Sequence, residues 1–339
     1  MHTHVTFLIN FSLTPLGLFY QLTNISLILG VLFTWLQKFQ GLNSAPKFIR
    51  EIMFYGKSYN LVKKCDQKVP FYSIQVPKRF FWHYYVVSFV INGTVLLAVL
   101  NKSFRSENFH KILNFLSTPI LPDSFENLRV KSMYEIEGYD KLTQITFDRN
   151  GLILLLTCMV IQASRRLYEC LFVSVYSNST QSIFVYLSAF VYYAFQGASI
   201  LVGSPNIFIP QQEDNFSLLA LKTAQYAAIL LFLVASYIQY DTHQRLANLR
   251  KTGKIKQNQH GLPQGGLFKY LSSPHYFAEA VIYISFQCMI GWQHIPSLII
   301  TFCTVFNQFC CAGMSHLWYK SVFGKGFPRN RKVFVPFVY

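Results

Sequence analysis

The sequence predicts an all-α integral membrane protein, a bundle of about seven transmembrane helices with no Rossmann domain. Three observations carry this. First, 52% of the 339 residues are hydrophobic and only 13% are charged, about half the charged fraction of a soluble domain. With 33 Phe and 21 Tyr there is more apolar side chain than one globular core uses, which excludes soluble enzymes, disordered chains and collagen-like repeats. Second, apolar runs recur near the roughly 20 residues that cross a bilayer. Third, the net charge of +16 is distributed between those runs instead of forming one basic face, so it reads as membrane topology and not as a nucleic-acid surface.

The first candidate span, residues 7–36, carries Asn10, Pro15, Gln21 and Asn24 but no Lys or Arg. It lacks the basic leader and small-residue cleavage site of a removable signal peptide, and reads as a retained first helix. Residues 80–100, 151–174, 182–203 and 217–240 are clear spans. The stretch from Tyr276 to Trp318 is too long for one crossing, and the polar turn Trp292, Gln293, His294, Ile295, Pro296 divides it into a hairpin of two.

Loop charges order these spans, because cytoplasmic loops carry the excess of Lys and Arg. Residues 37–79 hold nine basic residues against Glu51 and Asp66, and residues 101–149 hold seven of each sign. The segment 204–216 has Glu213 and Asp214 and no base, 241–275 has six bases against Asp241, and the tail after residue 318 has five bases and no acid. All basic segments fall on one side, with the N-terminus lumenal and the C-terminus cytoplasmic. Sequons at Asn101 and Asn215 then face the lumen. None of the seven Cys stands in a CxxC or a Cys/His metal spacing, so they read as packing residues and no metal site is expected. The chain reads as one domain over 1–339, with the chemistry-bearing motifs in the C-terminal half, about 150–339.

Ionisable groups inside spans are expensive and mark functional candidates. At the end of the third span, Arg165 and Glu169 are four apart and Arg166 and Glu169 three apart, flanking Tyr168, with Gln162 one turn back. Helical spacing lets them pair, which serves a basic membrane anchor as well as it serves a catalytic cluster. At the end of the fifth span, Asp241 and Arg245 form a second four-apart pair, followed by Asn248 and Arg250. Such a group can bind phosphate or be a positive-inside loop with surface pairs. The richest segment is HGLPQGGLFKYLSSPHYFAE, residues 260–279. Ser273 before Pro274 is a helix start, whose free N–H groups favour an anion. His275 and Glu279 follow four apart, and the buried Glu279 calls for a partner, His275 or a ligand group. His316 and Tyr319 share a face of the last span, with Arg329, Arg331 and Lys332 beyond it. Neither GxGxxG nor a P-loop follows a strand.

Several separated motifs in one order carry a resemblance. FYGK at 54–57, VPKRFFWHYY at 76–85, QASRRLYECLFVSVYSN at 162–178, the 260–279 segment, SHLWYKS at 315–321 and FPRNRKVFVPFVY at 327–339 resemble the steroid 5α-reductase family of membrane reductases, most closely its polyprenol reductase branch. The resemblance implies a seven-helix enzyme of the endoplasmic reticulum membrane, multi-pass, with NADPH entering from the cytoplasmic side. It places Asp241, Asn248, Arg250, His275, Glu279, His316, Tyr319 and Arg331 with the cofactor. It places His260, before the Pro-Gln-Gly-Gly turn, at the nicotinamide pocket. The Gln-Glu pair that steroid-type members carry after the first helix has no counterpart here.

The chemistry so implied is hydride addition to the β-carbon of an α,β-unsaturated carbonyl. It needs a donor at the carbonyl oxygen, for which His260 comes first, then Arg166 and Glu169 with Tyr168. The expected reaction reduces the α-isoprene double bond of a long-chain isoprenoid in dolichol synthesis, upstream of protein N-glycosylation. An allylic alcohol has no carbonyl to accept the electrons, so the aldehyde is the form expected to react. Competing readings are a 3-oxo-Δ4-steroid reductase, a very-long-chain enoyl reductase and, from another class, a seven-helix receptor or transporter. No nucleic-acid partner and no obligate protein partner is expected.

Overall fold

A computed structural model describes residues 74–101, 148–202, 204, 216–251 and 261–338. The expected first span at 7–36, FYGK and His260 lie outside the described residues. Six helices are described: α1 (Trp82–Leu100), α2 (Arg149–Tyr168), α3 (Ile183–Val202), α4 (Thr223–Lys251), α5 (Pro274–Ile290) and α6 (Ile295–Phe323). Among the described residues the only paired strands are β1 (Gln75–Pro77) and β2 (Thr180–Ser182), an antiparallel ribbon with Val76 opposite Gln181. No Rossmann sheet stands among these residues. Four segments, Lys78–Leu100, Arg149–Val173, Thr223–Lys251 and Ile295–Gly326, are long and apolar enough to cross a membrane. The apolar stretch Val185–Leu201 within α3, and α5 with 17 residues, are shorter. The chain is thus a multi-pass membrane protein, with four such helices described where the sequence predicted about seven spans.

Local chemistry sets the helix ends. Asp148 caps α2, its Oδ1 accepting from the Asn150 N–H at 3.0 Å, as a short acidic N-cap does. Past Tyr168 the helix widens into a π turn, Glu169–Val173, closed by Ser174 N–H donating to the Glu169 carbonyl at 2.8 Å. Gly291, at φ 98°, ends α5 in a conformation that suits glycine, and His294 then caps α6 by accepting from the Ser297 N–H at 3.1 Å. Ser273 is the residue before α5 with Pro274 in its first turn, as expected, but its hydroxyl makes no capping bond. The fifth expected span ends at residue 240, whereas α4 continues to Lys251. The run Gln244, Arg245, Leu246, Ala247 contains good helix formers and no breaker, so the polar segment after Tyr240 is helix and not loop.

Helix α5 is central, packing along α4, α6 and α2, while α1 packs on α2 and α3. The main core joins Leu152, Leu155 and Leu156 of α2 with Phe232 of α4 and Ile282 and Phe286 of α5. Two backbones approach closely at Gly151, where a Cβ would lie 2.5 Å from the Met289 carbonyl oxygen. Phe89, Val90 and Leu97 of α1 and Leu230, Leu233 and Tyr237 of α4 are exposed, the lipid-facing side that a membrane bundle leaves apolar.

Candidate active site

The end of the bundle where α2 and α4 finish holds a buried ionic cluster built on helical spacing. The Glu169 side chain has no solvent exposure and is ion-paired to both Arg165 and Arg166, which are 19% and 13% exposed. Helix α4 supplies His243, whose Nδ1 lies 2.7 Å from Glu169 Oε2 and 2.7 Å from Arg166 Nη1. One turn earlier on α4, Gln239 accepts from Arg165 and donates to Glu279 of α5. Gln162 donates to Glu279 Oε2 at 3.3 Å and accepts from Arg165 Nη2 at 2.7 Å. Buried charges are tolerated when paired and hydrogen-bonded, and here two carboxylates, two guanidiniums and two amides interlock, with Arg165 Nε the one donor of the cluster left open among the described residues. The π turn starts at Glu169, and such turns recur at functional sites.

Two spaces flank the cluster. A cleft of about 270 Å³ opens beside it, lined by Lys78, Ser174 to Ser177, Ser179, Arg250, Tyr276 and Tyr319, with His243 and His275 at its inner wall. The β1–β2 ribbon sets its rim, Lys78 N–H donating to the Ser179 carbonyl at 3.1 Å. Arg250 closes it from α4 by donating to the Val175 carbonyl at 2.6 Å. On the other side lies an inner cavity of about 10 Å³ lined by Tyr85, Ser88, Gln162, Tyr193, Glu279 and Tyr283. The cluster separates the two, with His243 facing the cleft and Gln162 and Glu279 facing the cavity.

The sequence-predicted residues distribute as follows. Arg166, Glu169 and Glu279 share the cluster. His275 stands at the cleft with its ring 5.6 Å from that of His243. The expected partner of Glu279 is replaced by the amides of Gln239 and Gln162, because α4 and α2 bring both within reach. Arg250 and Tyr319 line the cleft. His316 is buried, its Nδ1 2.6 Å from Ser272 Oγ. Asp241 pairs with Arg245 through a 2.7 Å bond, and Arg245 lies against the turn at Gly265 and Gly266, both at positive φ, where a Cβ on Gly265 would fall 2.6 Å from it. Asn248 is exposed on α4. Tyr168 is 51% exposed and packs on the Phe172 ring at 5.3 Å, away from both spaces. Tyr85, Gln239 and His243 complete the cluster; Gln239 and His243 belong to the polar segment at the end of the fifth expected span but carried no assigned role, and their signal is the four-residue spacing on α4.

Arg331 bears on what the site holds. It is 5% exposed, donates from Nη2 to the Pro263 carbonyl at 2.8 Å, and its Nε and Nη1 are buried without a hydrogen-bond partner among the described residues. Burial lowers its pKa from the ordinary guanidinium value. Buried donors left open are costly, and a guanidinium so placed fits an anionic group. The cationic side chains of Lys78 and Arg250 in the cleft fit the same chemistry.

Fold and site together define a class, a multi-pass membrane protein whose buried charge cluster lies between a basic cleft and an inner cavity. Comparison with known proteins sharpens it. A family described as 3-oxo-5-alpha-steroid 4-dehydrogenase matches residues 179–339. Polyprenal reductase of Mesocricetus auratus is 32% identical over 277 residues, covering 79% of this chain and 80% of the relative. That of Homo sapiens is 30% identical over 308 residues, 88% of each chain, and that of Caenorhabditis elegans is 29% identical over 268 residues, 78% of this chain and 80% of the relative. The chain belongs to the steroid 5α-reductase family, in its polyprenal reductase branch, and is a membrane-embedded oxidoreductase.

Proposed function

We propose that the protein reduces the α-isoprene double bond of a polyprenal with NADPH, on the route to dolichol for protein N-glycosylation. One observation carries it beyond the relatives' names. A continuous polar network runs from a basic cleft, which fits a charged cofactor, to a small inner cavity inside an apolar bundle, which fits a single polar atom such as a carbonyl oxygen. In this reading the enzyme sits in the endoplasmic reticulum membrane, with a lumenal N-terminus and the cleft and C-terminus on the cytoplasmic side.

When bound, the cofactor supplies a hydride to the β-carbon of the enal. The chain's own residues do the rest. Arg250, Tyr319 and His275 line its cleft, and Arg331 turns its open donors to a phosphate. His316, through Ser272, and Asp241, through Arg245, hold the 261–273 segment against it. Asn248 stands beside Arg250 on α4, and the family resemblance assigns His260, which precedes the Pro-Gln-Gly-Gly turn in sequence, to the nicotinamide. Glu169 and Glu279 keep Arg165, Arg166, Gln162 and Gln239 in fixed orientation, so the dipoles around the reacting carbonyl do not have to reorganise as charge develops. The apolar bundle excludes water.

The test is NADPH oxidation by the full chain in detergent, with a polyprenal, the matching polyprenol and a Δ4-3-oxosteroid run in parallel. Turnover of the aldehyde alone is expected. Turnover of the steroid alone moves the protein to the steroid-reducing branch of its family, and oxidation with none of the three sinks the proposal.

A further inference from the structure

The geometry points to Tyr85 as the catalytic donor to the carbonyl oxygen, in the cavity beside Arg166; this rests on the enal-reduction reading above. Tyr85 comes from α1, and the rest of the cluster from α2, α4 and α5. Its hydroxyl oxygen accepts from two N–H groups of one guanidinium, Arg166 Nε at 3.2 Å and Nη2 at 3.1 Å. A phenol oxygen has two lone pairs and one proton. With both lone pairs occupied by Arg166, the hydroxyl has only its proton to offer. Tyr85 lines the inner cavity, and that is the space into which the proton can be offered.

The cavity suits the group to be bound. Its volume of about 10 Å³ is near that of a single water-sized sphere, room for one oxygen and not for an isoprene unit. The other tyrosine hydroxyl with a hydrogen bond there, that of Tyr283, accepts from Gln196 Nε2 at 3.0 Å and has no cation beside it. Among the described residues, Tyr85 is the one cavity tyrosine whose hydroxyl is hydrogen-bonded by a guanidinium, and that guanidinium is fixed in turn by Glu169. Positive charge therefore stands behind the Tyr85 hydroxyl, while the Glu279 carboxylate on the same cavity is engaged by Gln162 and Gln239.

Hydride from NADPH forms the new C–H bond at the β-carbon, and the π pair of the double bond shifts to give an enolate whose oxygen accepts the Tyr85 O–H. The α-carbon then takes a proton that originates in water, the carbonyl re-forms, and the products are the saturated aldehyde and NADP⁺. The Tyr85 proton stays on Tyr85 throughout.

The experiment uses the full chain in detergent with wild type, Tyr85→Phe and Tyr193→Phe. Tyr85→Phe removes one hydroxyl and should lower kcat for the enal by about 10²–10³-fold, the loss typical of one oxyanion donor, with NADPH affinity unchanged and a modest fall in melting temperature as Arg166 Nε and Nη2 lose their acceptor. Two readouts separate a donor from a merely structural hydroxyl. A prenyl nitroalkene, which needs no carbonyl activation, should be reduced by the variant within about tenfold of wild type. The isotope-edited carbonyl stretch of a bound saturated long-chain aldehyde should lie at lower frequency in wild type than in Tyr85→Phe. Full enal activity in Tyr85→Phe, an equal deficit with both substrates, or an unshifted carbonyl stretch overturns the assignment. A deficit confined to Tyr193→Phe transfers the role to that residue and overturns it too. Absence of any enal turnover by wild type removes instead the reading on which it rests.

Discussion

The two ends of the bundle are both polar and both buried, and they behave differently. At the end where α2 begins, Asp148 caps its own helix and accepts from Gln225 Nε2 at 2.9 Å, with Lys222 at 3.5 Å. Gln225 also donates to the Met289 carbonyl at 3.0 Å. His294 is fully buried, accepting from Ser297 N–H and facing the Ile200 carbonyl at 3.2 Å and Ser204 Oγ at 3.1 Å. These side chains spend their polar atoms on helix ends, and neither the cleft nor the inner cavity reaches them. At the other end the polar atoms are spent on one another, and spaces open on both sides. Burial of polar groups is therefore shared by fastening and by chemistry. A cavity at the edge of the network distinguishes them.

The comparison breaks most sharply at Glu169. Glu169→Ala leaves two part-buried guanidiniums without their fully buried carboxylate and should cost about 3 kcal/mol, seen as a large fall in melting temperature together with loss of NADPH oxidation. Asp148→Asn at the opposite end, with 19% side-chain exposure, should lower the melting temperature far less and leave kcat in place. Equal loss of kcat in the two variants would erase the distinction. Next in size is Arg331→Ala, expected to weaken NADPH binding about tenfold, or about 1.4 kcal/mol. Titration of cofactor fluorescence reads this, and an unchanged dissociation constant would remove Arg331 from the cofactor site.

The smallest effect at neutral pH belongs to His294. Burial pushes its pKa down to about 4. Its folded pKa lies below the ordinary value, so the unfolded chain takes up a proton that the folded chain refuses. Stability from this group is complete above about pH 6.5 and is lost as pH falls toward 4. His294→Gln keeps one donor and one acceptor without a titrating ring. Its melting temperature should decline less steeply than that of wild type between those two pH values, and parallel curves would count against the assignment.

Much of this was legible in the sequence, for physical reasons that also mark where legibility stops. Helix positions follow from apolar runs bounded by turn residues, so α1, α2, α3 and the α5–α6 hairpin lie where expected. The ion pairs Arg165–Glu169, Arg166–Glu169 and Asp241–Arg245 follow from helical spacing alone. The β1–β2 ribbon, with three residues a strand, is too short to show a period, and the extension of α4 past Tyr240 was hidden by charge that reads equally as loop. Tyr85 was invisible because its bond to Arg166 joins residues 81 apart in sequence, a contact set by how α1 packs on α2. The same holds for His243 and Glu169, 74 apart.

One consequence follows from the unbroken length of α4. Gln239, His243 and Arg250 lie on a single rod, the first and last about 16 Å apart along its axis at 1.5 Å per residue. Arg250 closes the cleft, while Gln239 and His243 hold the two carboxylates. The rod works as a lever with both loads fixed to it. Shifting α4 to widen the cleft would pull Gln239 from Glu279 and His243 from Glu169 in the same stroke. Under the proposed function, loading and arming would thereby be geared together, and any gate that works independently would have to be cut in another wall, such as the 174–179 segment that lines the cleft.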